Sequence, residues 1–250
     1  WVTILSLISW IYYCDLGIGN GLRNKLASAL AVDNINASKK NLGTAYTLIG
    51  FISIIVFLAV LVLLYIFDIG SWIGIEIPGE NLSICLITAM FFACTNFIMS
   101  LANNVLFAVQ KASLVNLFSC LSQLIFVILL GIYAATGINT ILFMALGEGI
   151  AQLLKNVVET IFVFRKFPEL QFSIHDYDKE YTRGILSFGI QMFLVQIAAL
   201  ILNSTDNIVI TKLFNASAVT PYNFCYKYFN MIQMMYVALI TPLMSAYTAA

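Results

Sequence analysis

Apolar residues run along this chain in long blocks broken by short polar stretches. A helix needs about 20 consecutive, mostly apolar residues to cross the hydrocarbon core of a bilayer. Blocks of that length lie at 1–22, 44–67, 82–107, 113–134, 139–163, 185–205 and 219–248. They are too long for strands and lack the alternation of a membrane β-barrel. The pattern therefore predicts an all-α, polytopic helical membrane protein.

The connections between blocks set an orientation. The first carries Arg23, Lys25, Lys39 and Lys40, the third Lys111, and the fifth Arg165, Lys166, Lys179 and Arg183. The second holds Asp68, Glu76 and Glu80, the fourth (135–139) no charge, and the sixth a single lysine, Lys212. Lys and Arg accumulate on cytoplasmic loops, so the odd-numbered connections are expected inside and the first block is expected to enter from outside. With Trp at position 1 and apolar runs at both ends, the simplest expectation is a chain truncated at both ends, one helix missing upstream.

Composition narrows the class further. Hydrophobic residues make up 61% and charged residues 10% of the 250 positions, whereas a soluble domain uses about a quarter of its residues as charges. Twelve basic and 12 acidic side chains cannot coat a water-facing shell. A soluble enzyme, a basic nucleic-acid binder and a disordered chain are excluded. The 5 cysteines sit in apolar blocks without CxxC spacing, and His175 is the 1 histidine. Neither a metal centre, nor a disulfide framework, nor a cofactor is called for.

The fifth connection, Phe164 to Arg183, is the longest and mixes both signs of charge; Pro168 stops a helix within it. It reads as a solvated cytoplasmic linker. The expected organisation is an N-terminal helical bundle at 1–164, a linker at 165–184 and the start of a C-terminal bundle at 185–250.

Residues 15–30 read DLGIGNGLRNKLASAL. Gly17, Gly19 and Gly21 fail as a dinucleotide fingerprint, because the third glycine comes one residue early and an apolar helix precedes it. Small residues at this spacing let helix backbones approach closely, or let a helix unwind beside a polar cavity. The stretch Asp15–Asn24 resembles the second helix of Wzx-type bacterial polysaccharide flippases, members of the multidrug/oligosaccharidyl-lipid/polysaccharide exporter superfamily. Asn104–Lys111, the charged linker, Thr205–Ile210 and Thr241–Tyr247 are similar to that family in the expected order. The resemblance implies a MATE-like transporter fold of two bundles, of which this chain would span from about the second to about the eighth helix. It further implies a bacterial inner-membrane protein that moves an undecaprenyl-diphosphate-linked oligosaccharide between leaflets by alternating access. That activity would serve surface polysaccharides such as O-antigen and lipopolysaccharide, with polysaccharide polymerase machinery as a partner. The same fold serves drug exporters, so a multidrug/cation antiporter is the alternative.

Polar groups inside the blocks are the candidate site. An ionised side chain near a helix centre costs about 2.5–3.5 kcal/mol on insertion scales, so it needs a partner or a wet cavity. Glu148, Gln152, Lys155 and Glu159 fall on one helical stripe. At 1.5 Å per residue, Glu148 lies about 14 Å below the outer end and Lys155 about 10 Å further in. The stripe either lines a translocation cavity or, at its inner end, pairs Lys155 with Glu159 one turn on. For an anionic pyrophosphate the cations nearest the membrane are Arg23, Lys155 and Lys227; Arg23 also fits the positive-inside rule. Asn96, Ser100 and Asn103 share a face, as do Asn116, Ser119 and Gln123, for interhelical hydrogen bonds or for sugar hydroxyls. Asp206, near an outer end, is the candidate for a coupling cation. Tyr222, Tyr226 and Phe229 form either an interfacial belt or a stacking surface for sugars. The non-cytoplasmic connections are short, acidic or neutral and lack histidine, which argues against a membrane enzyme.

Overall fold

The computed structural model describes residues 16–66, 82–136 and 141–249. These residues form α1 (Ile18–Ala31), α2 (Ile35–Ile66), α3 (Leu82–Met99), α4 (Leu101–Ala108), α5 (Ala112–Thr136), α6 (Ile141–Lys166), α7 (Lys179–Leu213) and α8 (Val219–Ala249). Single 3-10 turns stand at Pro168–Leu170, Ile174–Asp176 and Ala216–Ala218. The described residues of each apolar block from 44–67 onward are helical, save for a turn at Ser100. Most of the block 1–22 lies outside the described residues, as do Asp68, Glu76 and Glu80 of the second connection.

Among the described residues, three spans are long and apolar enough to cross a membrane by length and composition alone: Ile35–Ile66, Ser83–Ala108 and Ala112–Thr136. The second of these joins α3 and α4 across Ser100, whose hydroxyl donates to the Phe97 carbonyl at 2.9 Å. A back-bonded serine bends a helix without ending it. α2 and α5 leave Phe51, Leu58, Val62, Leu124, Val127 and Ile128 exposed. On a membrane helix such faces meet acyl chains, so they need no protein partner.

The first connection is not a loop. Arg23 and Lys25 stand within α1, and Lys39 and Lys40 within the first turns of α2. Only residues 32–34 turn the chain, with Asp33 at φ 52°. Asn34 starts α2, its side-chain oxygen accepting from the Ala37 N–H at 2.9 Å. The stretch 25–40 is rich in Ala, Leu and Lys, which are good helix formers. Its polarity marks where the chain leaves the apolar layer and not where the helix stops.

The linker likewise differs from expectation, being docked on α2 rather than freely solvated. Leu170 is buried, Phe172 stacks on Tyr46 with ring centroids 4.5 Å apart, and Gly43 leaves room for Asp176, which a Cβ there would approach to 2.8 Å. The Asp178 N–H donates to the Thr44 hydroxyl at 3.0 Å, and Lys40 Nζ forms an ion pair with the Asp178 carboxylate at 2.9 Å. Asp178 also caps α7 by accepting from the Glu180 N–H at 3.0 Å. Apolar residues inside a charged segment supply this docking.

α1 is wedged among α2, α4 and α7. Gly17 sits at φ +69°, and a Cβ on it would overlap the Gly189 carbonyl of α7; a Cβ on Gly21 would overlap the Ile185 carbonyl. The glycines thus serve close backbone approach. Ile18, Leu22 and Leu26 of α1 fill the core with Leu42 and Ile49 of α2, Leu101, Val105 and Leu106 of α4, and Ile185 of α7.

Basic residues from odd-numbered connections meet at one end. Lys25 lies against Gly184, Lys40 reaches Asp178, and Lys111 Nζ stands 5.5 Å from the Phe167 ring centre. The like-charged Lys166 ammonium close by, with some burial, holds Lys111 below its ordinary pKa.

Candidate functional site

A cavity of about 340 Å³ opens among α1, α2, α3, α4 and α6. Gly19 comes from α1 and Ile49 from α2; Asn96, Phe97, Ser100, Leu101 and Asn104 come from the α3–α4 span. α6 contributes Glu148, Gln152, Lys155 and Asn156. Helical periodicity explains the α6 contribution, since residues four apart stack on one face. α6 is held close to α3 by Gly149, whose missing side chain leaves the space that the Phe92 ring occupies. Gly19 does the same for Asn104, whose Nδ2 would lie 2.7 Å from a Cβ there.

Four of the expected residues, Asn96, Glu148, Gln152 and Lys155, therefore converge on one space. Asn156, overlooked in the sequence, completes the wall. Its Nδ2 donates to Asn96 Oδ1 at 2.8 Å, and both residues are 3% exposed. The pairing uses only half of each amide: Asn96 Nδ2 and Asn156 Oδ1 are buried without a partner. The signal was present, because Glu148, Gln152 and Asn156 follow one another at steps of four.

The remaining candidates stand elsewhere. Glu159 is fully buried and does not line the cavity. With its NH₂ side turned to Glu159, Asn103 donates to the two carboxylate oxygens at 2.5 and 3.0 Å. The expected Lys155–Glu159 pair is thus replaced: the charge of Lys155 reaches Glu159, but among the described residues no ion pair joins them. The amide is close enough for direct bonds, and Lys155 turns to the cavity. Arg23 is exposed, its guanidinium 4.7 Å from the Phe107 ring centre, outside the cavity wall. Lys227 on α8 is exposed too, although its charge acts on Glu148.

Asp206 is exposed and accepts a short hydrogen bond from the Tyr222 hydroxyl. Beside it, Asn223 Nδ2 donates to Asn207 Oδ1 at 2.6 Å, tying α8 to α7. Tyr222 stacks on Tyr226 at 6.2 Å. Asn116 and Gln123 are exposed on α5, so that expected stripe points away from the cavity.

Chemically, the cavity offers one ammonium, one carboxylate and several amides within a largely apolar bundle. Such a space lets hydrated or charged groups sit at membrane depth, where hydrocarbon would cost several kcal/mol per unpaired polar group. At about 30 Å³ per molecule, the volume suits about ten waters or a small polar headgroup.

Comparison with known proteins adds family and fold. A family profile described as "Polysaccharide biosynthesis protein" matches residues 9–248. A solved structure, described as the inward-facing conformation of a multidrug resistance MATE family transporter of the MOP superfamily, superposes with a TM-score of 0.72 at 17% identity. The match covers 96% of this chain and 54% of that one, so the chain spans about half the length of that transporter. No curated protein matches the chain.

Proposed function

The chain belongs to the polysaccharide biosynthesis protein family, and from that footing we propose that it is part of a flippase for a lipid-linked oligosaccharide. The proposed substrate is carried on undecaprenyl diphosphate and crosses the bacterial inner membrane by alternating access between two bundles. In this reading residues 1–164 form most of the first bundle, 165–184 the cytoplasmic linker and 185–250 the start of the second, with polysaccharide polymerase machinery downstream.

The half-satisfied Asn96–Asn156 pair carries the reading. A sugar hydroxyl both donates and accepts, and the pair leaves one donor and one acceptor unused beside the cavity. Lys155 adds a cation for a phosphate, which a lysine meets as a point charge. Glu148, under the charge of Lys227, adds an acceptor for further hydroxyls. The polyprenyl tail has no need of the cavity, because it remains soluble in the bilayer while the headgroup crosses.

The test uses full-length protein in its native host. Lys155→Gln and Asn156→Leu, at normal membrane levels, are expected to lower surface polysaccharide and raise lipid-linked precursor. Removing an interaction of about 2–3 kcal/mol lowers flux roughly 30- to 100-fold if it acts at the rate-limiting step. Unaltered polysaccharide and precursor in both variants would refute the assignment. Increased drug sensitivity with normal precursor levels would instead identify an exporter of small cations.

A further inference from the structure

A second polar space lies between α1 and α7, at the end of the bundle where basic residues gather. It encloses about 450 Å³. Lys25, Arg183 and Glu180 line it together with Asn24, Ser187, Phe188 and Gln191. The groove shares no residue with the cavity lined by Glu148 and Lys155.

Two features set these cations apart from an ordinary solvated surface. Gly184 leaves a gap in α7 into which the Lys25 side chain is laid: a Cβ there would stand 3.3 Å from Lys25 Cε and 3.8 Å from Nζ. The end of the Lys25 side chain therefore lies against α7, although the residue remains exposed. Further, among the described residues neither Lys25 nor Arg183 makes an ion pair, although Glu180 lines the same groove. Lys40, in contrast, is engaged by Asp178. Two cations of different geometry, one point charge and one planar fork, converge with two amides and a hydroxyl. That donor set suits the oxygens of a phosphate group, with the fork binding two of them at once.

We propose that the α1–α7 groove binds the phosphate of a membrane-lipid headgroup at the cytoplasmic surface. Basic pockets between helices at that surface hold anionic headgroups. The amides and Ser187 supply further hydrogen bonds, and Glu180 selects against ligands whose charge is not concentrated near Lys25 and Arg183. The assignment needs the membrane setting of α1 and α7 but not the identity of what the cavity carries.

The headgroup could come from the diphosphate of a polyprenyl carrier or from an anionic glycerophospholipid, and binding assays separate the two. Full-length protein in phosphatidylcholine nanodiscs is titrated with polyprenyl diphosphate, with phosphatidylglycerol and with inorganic pyrophosphate. The Lys25→Gln/Arg183→Gln protein is compared with Lys25→Arg and Lys39→Gln, all checked for equal thermal stability. Expected is a loss of about 10- to 30-fold in lipid binding for the double variant, following roughly 1 kcal/mol per basic residue near a charged surface. Lys25→Arg and Lys39→Gln, the latter outside both polar spaces, should bind normally, and 0.5 M salt should weaken the wild-type interaction. Loss confined to polyprenyl diphosphate assigns the groove to the carrier; loss with both lipids assigns it to anionic lipid in general. Unchanged lipid binding in the double variant would overturn the proposal, as would pyrophosphate binding as tightly as either lipid. Failed flipping by Lys155→Gln with intact phosphatidylglycerol binding would separate the cavity from this site.

Discussion

At the scale of single residues, the decisive feature is how buried polar atoms find partners. Glu159 is enclosed completely, yet Asn103 brings two amide contacts to its carboxylate. Removing a partner from a buried acceptor costs about 1–3 kcal/mol, more when the acceptor is charged. Asn103→Leu is therefore expected to lower the unfolding temperature of the detergent-solubilised full-length protein, while Glu159→Gln, which keeps an acceptor oxygen and removes the charge, lowers it less. Equal stability of Asn103→Leu and wild type would contradict the contact. Sequence spacing placed Glu159 on the α6 stripe but could offer it only Lys155, as one of two readings, for a partner. Spacing along one helix reports neighbours on that helix, whereas Asn103 arrives from α4, across an interface that periodicity cannot see.

Elements pack here through backbone proximity and small local docking contacts. Gly17→Ala meets both a left-handed backbone, which costs roughly 1–2 kcal/mol for a residue with a Cβ, and the Gly189 carbonyl. It should separate α1 from α7 and reduce folded protein in the membrane. Gly50→Ala offers the contrast: a Cβ there meets nothing within 4 Å, and alanine favours a helix by about 1 kcal/mol. Stability should hold or rise, as measured by thermal unfolding of the two variants side by side.

The linker is the second case at this scale. The hydrogen bond from Lys40 and then that from the Glu180 N–H hold the Asp178 carboxyl below its ordinary value of 3.8. A depressed folded-state pKa stabilises above the unfolded value and loses that contribution as pH falls through the folded one. After correction for the intrinsic pH dependence of amide exchange, hydrogen exchange in 173–178 should accordingly be unchanged from neutral pH to about 5 and accelerate below the ordinary carboxylate range. As an exposed pair, Lys40–Asp178 contributes little beyond this local ordering. Acceleration already at neutral pH would show that the docking does not use the pair.

For the whole molecule, the consequence is a polar interior surrounded by apolar surfaces. Cysteine substitutions at Gln152 and Lys155, which line the cavity, should react with a membrane-impermeant maleimide in a background lacking the native cysteines. Leu154 and Val158, exposed on the outer side of α6, should not, because lipid covers them. The reverse pattern would mean that α6 is rotated in the membrane. The sequence alone determined the class and the positions of most helices, because hydrocarbon imposes a length and a composition on any helix that crosses it. It also identified the α6 stripe, because one face of one helix is a local property. What only the tertiary structure decided is which polar residues share a space: Asn96 with Asn156, Asn103 with Glu159, Lys25 with Arg183. Those pairs join residues far apart in the chain, and their meeting depends on how closely the glycines let whole helices approach, a distance that no spacing along the chain contains.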